Sequence, residues 1–508
     1  MSIVTPIPQN TVIKVYAGIP WDDTLRDVRL FDTPAQRDVY FNGKLKGIWE
    51  KCSIVSMGKS IKVEGYYNNF LECNYLTFTN QVPDTTARTI YAFITSISYV
   101  NVNTVQIDYT IDWIQTYLFD FEFDECMVER EHVNSDAVGE HLLDEGLDTG
   151  EYMIRSSREI GYAPAVFVYY LDKNVTAVSP INGVASCLNF ESYTFEQLSV
   201  LATFLDAYKE TPERIVEICM GVSEMRGDGF FSDTQTIMKV AGFSNNGTDV
   251  YTPRNNKLSC YPYMLLAMDN FMGEIEQLRW EEFQSTSVAV FTIKGNSTPK
   301  PCMEMSPANY KGRRDGINTT EQFAIQYSNF PSVPYATDAY RAWISQYGFS
   351  KVASVGASVV GTVLGAVGGG MPGLIKGGVD LANTAIDTYQ EVKDHKIHSQ
   401  QIHGSIGNSG MQYAKDEVGF RVTQYAIRRE YAERIDKYFD RYGYRVSTVK
   451  VPNVRGRQFV NYVKTTGAIV SGNVAVDAKV QMERALDQGV SFWHTDAVGA
   501  PLTSNPIV

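Results

Sequence analysis

Five small residues, Ala353, Ala357, Gly361, Gly365 and Gly369, recur at every fourth position inside Val352–Ile375, a run of 24 residues with seven glycines and no charge. On a helix this spacing makes one smooth ridge, the surface that lets apolar helices meet backbone to backbone. Val359, Val360, Val363 and Leu364 supply an apolar face beside it. Glycine costs about 1 kcal/mol per helical position relative to alanine, so the run suits lipid or close helix contact better than a fixed place in a water-soluble core. At about 1.5 Å per residue it just spans a hydrocarbon core of about 30 Å. Gly370, Pro372 and Gly373 break a helix near its end and read as hinges, which weighs against a permanent transmembrane helix. Two readings stay open: a loop that enters membrane conditionally, and a small-residue loop or helix buried between subunits.

Other residue types that do chemistry fall short of a site. Gly58-Lys59-Ser60 ends like a phosphate-binding loop, but Ser53 stands where glycine is required, and Ile-Lys-Val-Glu follows where a helix must start. It reads as a turn, and Arg226-Gly227-Asp228 as a chance tripeptide in a loop. His395, His398 and His403 carry good metal-binding nitrogens, yet no cysteine or carboxylate completes a known spacing, so a solvated helix end is expected. Were they to act, protonation at mildly acidic pH would be the means. Neither His-Glu-x-x-His nor Gly-x-Ser-x-Gly occurs. Carboxylate pairs such as Asp124 with Glu125, or Asp144 with Glu145, have the residue types for glycoside cleavage, but among 58 acidic residues they read as surface charge. No catalytic residue, metal site or cofactor is expected, and the chain reads as a non-enzyme.

The elements around the apolar run are mostly strands. Val105 to Asp112 alternates apolar and polar without a fault, Ile90 to Val100 and Ser60 to Tyr66 do likewise, and Asn42-Gly43, Met57-Gly58, Asn68-Asn69 and Pro83-Asp84 supply turns. The first third is thus a β-rich, barrel-like region. An apolar strand at Ala165 to Leu171 precedes a capping box, Thr194-Phe-Glu-Gln197, and a helix whose face is Leu198, Leu201, Leu205 and Tyr208. Residues 226–260 read as polar loop, and a strand returns at Ser287 to Lys294. After the apolar run, Val379, Ala382, Ile386, Tyr389 and Val392 predict an amphipathic helix. A further helix has the stripe Ile427, Tyr431, Ile435, Tyr438, Phe439 and Tyr442, an opposite polar face including Asp436, and Gly443 as its stop. Strands at Tyr444 to Val451, Gln458 to Thr465, Ala468 to Ser471 and Val490 to Trp493, with a helix around Asp477 to Asp487, complete an α+β end.

The expected fold class is α+β and β-rich, with antiparallel sheets. The organisation reads as 1–155, an N-terminal β-rich region; 156–345, a mixed middle; 346–410, the apolar loop and amphipathic helix; and 411–508, the α+β C-terminal region. The net charge of −13 argues against binding nucleic acid by phosphate neutralisation. Seven scattered cysteines without a Cys-x-x-Cys pair fit free thiols, and the opening residues show no secretory pattern, so folding in a cytoplasm is expected.

Several peptides carry a resemblance: Tyr91 to Val102, Ile111 to Phe119, Val128 to Val133, Asp144 to Leu147, Tyr442-Gly-Tyr444, Phe459 to Val463 and Phe492 to Asp496. In number and order they resemble the distal tail-tube, or tail knob, proteins of small short-tailed bacteriophages; the middle, about Tyr170 to Tyr340, shares no such peptides. The resemblance implies a homo-oligomeric, hexameric tube subunit at the distal end of a virion tail, in contact with other tail proteins. It implies that the apolar loops plug the lumen, then enter the host membrane and open a path for genomic DNA, which passes without specific binding. The different-class expectations are a polysaccharide-cleaving tail spike and a receptor-binding adhesin.

Overall fold

A computed structural model of the chain describes residues 11–52, 60–80, 88–171, 179–181, 184–186, 188–208, 211, 214–226, 230–296, 301–310, 323–328, 330, 332–334, 418–502 and 504–508. Its contacts divide it into two units: 1–148 with 253–258 and 430–508, and 149–252 with 259–429.

The first unit is built on a six-stranded antiparallel sheet in the order β3-β1-β5-β6-β7-β4. Its strands are β1 (Thr11–Ala17), β3 (Leu45–Cys52), β4 (Ser60–Glu64), β5 (Cys73–Asn80), β6 (Arg88–Asn101) and β7 (Thr104–Ile111). The two end strands approach each other, because Trp49 of β3 donates its indole N–H to Glu64 O at the end of β4, 2.7 Å away, and stacks on Phe70. The alternation in β7 is realised as written: Val105, Ile107, Tyr109 and Ile111 are buried inside the barrel. β5 and β6 do not alternate in polarity, for both of their faces are covered, and the reading of Ile90 to Val100 as an alternating strand is thereby corrected. Leu76, Phe78, Ile90 and Ala92 point into the barrel, while Tyr75, Tyr91 and Phe93 point outward into a second core.

That second core joins the barrel to a five-stranded sheet in the order β2-β27-β25-β9-β24. Its strands are β2 (Asp27–Arg29), β9 (Cys126–Glu131), β24 (Tyr444–Lys450), β25 (Val460–Thr466) and β27 (Val490–Trp493). β2 pairs in parallel with β27, so both ends of the chain are woven into one sheet. Helix α1 (Pro34–Asn42), started by Thr33 accepting from Gln36 N and by proline in the first turn, contributes Phe41. Helix α5 (Val476–Gln488) contributes Met482, Ala485 and Leu486. Each fully buried side chain of this size stabilises the fold by about 1.5–3 kcal/mol. β8 (Phe121–Phe123) and β26 (Val470–Gly472) form a two-stranded ribbon. Asp112 closes β7 and starts the single turn α2 (Trp113–Thr116), accepting from Gln115 N, Tyr75 Oη and Trp21 Nε1. Burial drives its carboxyl pKa up to about 6, against the pull of those donors.

The second unit holds three four-stranded antiparallel sheets, β10-β23-β17-β18, β14-β11-β15-β22 and β16-β19-β20-β21, and the hairpin β12-β13. The strands are β10 (Tyr152–Gly161), β11 (Pro164–Leu171), β12 (Ser179–Ile181), β13 (Val184–Ser186), β14 (Leu188–Thr194), β15 (Ile215–Val222), β16 (Phe230–Met238), β17 (Met264–Asp269), β18 (Ile275–Leu278), β19 (Val288–Asn296), β20 (Cys302–Pro307), β21 (Ile325–Tyr327), β22 (Ser332–Pro334) and β23 (Gly419–Ile427). The capping box at Thr194 and Gln197 is present, and α3 (Leu198–Ala207) buries Leu201 and Leu205 against Val166 and Val168 of β11. Arg158 donates to Thr236 O and Tyr162 Oη to Asp233, linking β10 to β16.

Among the described residues the fold is β-rich and mostly antiparallel, as expected, with few helices. Three further readings are corrected. Residues 226–260 are not all loop, for β16 pairs along its length with β19; its polar, alternating residues belong to a half-exposed strand. Ile427 ends β23 and is not on the helix stripe, since α4 runs Arg429–Tyr442. Asp436, read as part of the polar face of α4, is fully buried. The helix expected over 379–392 lies outside the described residues.

Candidate functional site

The residues singled out in the apolar run, Ala353, Ala357, Val359, Val360, Gly361, Val363, Leu364, Gly365, Gly369, Gly370, Pro372 and Gly373, lie outside the described residues, as do His395, His398 and His403. In the chain they fall between β22 and β23, two strands of different sheets in the second unit. Among the described residues no helix is long and apolar enough to cross a membrane, and no group of His, Cys, Asp or Glu is placed to hold a metal.

The densest buried chemistry that is described is a polar seat in the first unit, and it holds a piece of the chain itself. Residues 253–258 leave the second unit's sequence and pack in the first. α4 offers them Asp436 and Asp440, four residues apart and so one turn apart on the same helix face. Asp436 accepts from the backbone N–H of Arg254 and of Asn255, at 3.0 and 3.1 Å, and from Asn255 Nδ2 at 2.7 Å. Asp440 takes Asn255 Nδ2 at 2.9 Å and the Arg254 guanidinium. Asn256 is held in turn by Asp136, whose carboxylate accepts from Asn256 N and from Tyr444 Oη, 2.7 Å away. Burial raises the pKa of both members of that last pair. At the far end Lys257 is buried with its ammonium on Leu143 O and on Glu145, whose other oxygen meets Arg130. Arg445 N also donates to Glu145, at 3.0 Å. The Glu145 side chain is fully buried, so the surface-charge reading of Asp144 with Glu145 is corrected for this residue.

His132 sits behind the seat. Tyr462 N donates to its Nδ1 at 2.7 Å, so the ring proton is on Nε2, which donates to Asp440 O at 2.9 Å. Burial, reinforced by the Arg457 charge, pushes its pKa down to about 4, and the ring is neutral. With both nitrogens engaged it has no lone pair or proton to spend on a substrate. Arg457, Asp440 and the C-terminal residues Ser504, Asn505 and Pro506 border a cavity of about 220 Å³ beside it. Asn505 O accepts from Arg457 and Pro506 O from Gln458 N, so the chain's last residues are tied down over this corner. The arrangement pairs donors with acceptors throughout and presents no nucleophile activated by a base; what it can do is hold a peptide turn in one position.

Sequence reasoning missed this seat. Its signals were the pair Asp436 and Asp440 at helical spacing and the polar tetrad Arg254-Asn255-Asn256-Lys257, which are ordinary as surface features and distinctive only when brought together.

Comparison with known proteins gives the setting. A family model described as Bacillus phage phi29 tail knob protein gp9, C-terminal domain, matches residues 230–506, and one described as caudoviral major tail protein N-terminus matches residues 9–122. The tail knob protein gp9 of Bacillus phage PZA is 22% identical, with 96% of this chain and 97% of that protein covered. Bacillus phage phi29 tail knob protein gp9 is likewise 22% identical over the same shares. The structure of the bacteriophage C1 tail knob protein, gp12, superposes with a TM-score of 0.63 at 14% identity, covering 98% of this chain and all of that one.

Proposed function

The chain belongs to the family of the phi29 tail knob protein gp9 C-terminal domain, and as a structural tail knob protein of a phi29-like phage we propose that it forms the distal conduit through which the genome leaves the virion. The observation that carries this is the family match over 230–506 together with relatives aligned over nearly their whole length. In this reading copies of the chain, six by resemblance, close into a tube and act mechanically, without catalysis. The loop around residues 350 to 376 is its membrane-active part, in which Ala353, Ala357, Gly361, Gly365 and Gly369 form the packing ridge. Val359, Val360, Val363 and Leu364 form the apolar face, and Gly370, Pro372 and Gly373 the hinges.

Physical chemistry supports it on two counts. Packed together in a lumen, 24 uncharged residues per chain are hidden from water, where an exposed patch of that size is a liability. A chain of net charge −13 repels phosphate, so DNA slides past without sticking.

The test is dye release from liposomes with Val360→Asp/Leu364→Asp. The variant is expected to assemble as the wild type does and to lose at least tenfold in leakage rate. Wild-type leakage from the variant overturns the role of the loop, and release of reducing sugar ends from host wall by the purified chain would point to a tail spike instead.

A further inference from the structure

Arg457 carries a buried charge that has no counter-ion among the described residues. The residue is 8% exposed, and a guanidinium keeps its proton even so. Its Nε donates to Val133 O at 2.8 Å and its Nη1 to Asn505 O at 3.1 Å, carbonyls that satisfy hydrogen bonds and cancel no charge. Asp136 and Asp440 attract it through space without forming an ion pair, and both are committed elsewhere. Asp136 accepts from Asn256 N and Tyr444 Oη, and Asp440 from Asn255 Nδ2 and the Arg254 guanidinium. Buried charges are paired as a rule, because an isolated one forfeits its hydration.

Arg457 also borders the cavity of about 220 Å³ in the first unit, which has room for several water-sized atoms. The rest of the lining suits an anion. Arg254 and Asp440 border it as a pair and cancel, His132 is neutral, and Arg457 leaves one positive charge in excess. The wall is built before any ligand arrives: the Asn505 side chain accepts from Phe459 N and Val460 N, both at 3.2 Å, and donates to Val460 O at 2.8 Å, which fixes the carbonyl that holds Arg457. A guanidinium is a planar fork whose bidentate partners are carboxylate and phosphate. Here donors come from three separate chain segments, at Arg254, Arg457 and the exposed Ser504, so a tetrahedral oxyanion is met on more sides than a planar one.

We propose that this cavity binds one small tetrahedral oxyanion of the phosphate class, whose charge balances Arg457 and whose oxygens tie residues 504–506 to the sheet behind them. The ion is structural and does not react. The test is calorimetric titration of the full chain with inorganic phosphate at neutral pH, with ionic strength held constant by NaCl. One phosphate per chain is expected, and Arg457→Gln and Ser504→Asp are each expected to weaken it at least tenfold. In Ser504→Asp the new carboxylate takes the place of the anion. That variant should therefore melt higher than the wild type in phosphate-free buffer and gain nothing from added phosphate, which raises the wild-type melting temperature. If Arg457→Gln does not fold, Ser504→Asp, altered at an exposed position, decides alone. No saturable binding to the wild type, or wild-type affinity in either folded variant, overturns the proposal. Acetate binding as tightly as phosphate would overturn the tetrahedral assignment.

Discussion

Inside the barrel, Leu76, Phe78, Ile90 and Val105 pack on other apolar side chains, whereas in the same unit Glu145, Lys257 and Asp436 are as far from water and carry ionisable groups. Apolar burial is non-directional and tolerates repacking of similar volume. The ionic seat accepts one arrangement, because each oxygen of Asp436 and Glu145 has its own donor and removing any of them leaves a desolvated polar atom. The barrel thus supplies stability, and the seat specifies which stretch of a long chain, residues 253–258, returns to the first unit.

Breaking either region should be costly, but only one should be replaceable. Phe78→Ala, removing a ring that lies 5.5 Å from Tyr109, is expected to cost about 3–5 kcal/mol in urea unfolding. Glu145→Ala is expected to cost a similar amount, about 3–5 kcal/mol, by stranding Arg130 and Lys257. Exchanging all three for Met, Leu and Met should recover most of that loss, since a well-packed apolar cluster often equals a buried ionic one. A triple variant as unstable as Glu145→Ala would mean that the seat contributes stability, not only specificity.

The comparison also explains what could be read in advance. The barrel was legible because β7 writes its two faces as an alternation and Thr194 with Gln197 writes a helix start; these are local patterns with one physical meaning. The seat was not, because its meaning lies between residues some 110 to 190 positions apart, such as Lys257 with Glu145 and Asn255 with Asp436. Asp436 was assigned to the solvent side of α4 by charge alone, and only the arrival of 254–255 makes its burial possible. β16 was missed for a milder reason: Ser232, Thr234 and Thr236 make a half-exposed strand look like loop. Cys73, Cys126, Cys219, Cys260 and Cys302 are free thiols.

A second contrast is in pH. In the seat His132 has a pKa of about 4 against an ordinary 6.5, so the fold favours its neutral form. Its contribution is full above pH 6.5 and lost as pH falls through 4, about 3 kcal/mol in all. Beside the barrel Asp112 has a pKa of about 6 against 3.8, so the fold favours its protonated form. That contribution is full below pH 3.8 and lost as pH rises through 6, again about 3 kcal/mol. Unfolding measured between pH 3.5 and 7.5 should therefore show the wild type losing ground to His132→Asn as pH falls and gaining on Asp112→Asn. Profiles that stay parallel in both cases would remove the electrostatic distinction.

The finest test separates backbone conformation from close approach. Gly443 and Gly467 have nearly the same positive φ, 63° and 69°, a region that costs any other residue about 1–2 kcal/mol. A Cβ on Gly467 would meet nothing within 4 Å, whereas one on Gly443 would lie 2.0 Å from Glu131 O and 2.5 Å from His132 N. Gly443 is where α4 stops, its N–H on Phe439 O, and where the chain turns into β24 against the backbone of β9. Alanine at 467 should thus show the conformational cost alone. Alanine at 443 must also push β9 away, and with it His132 and the Arg130 bond to Gly443 O. An excess of about 1–2 kcal/mol for Gly443→Ala over Gly467→Ala is expected in thermal unfolding. Equal losses would show that β9 yields easily, and the seat would then be a softer structure than its hydrogen bonding implies.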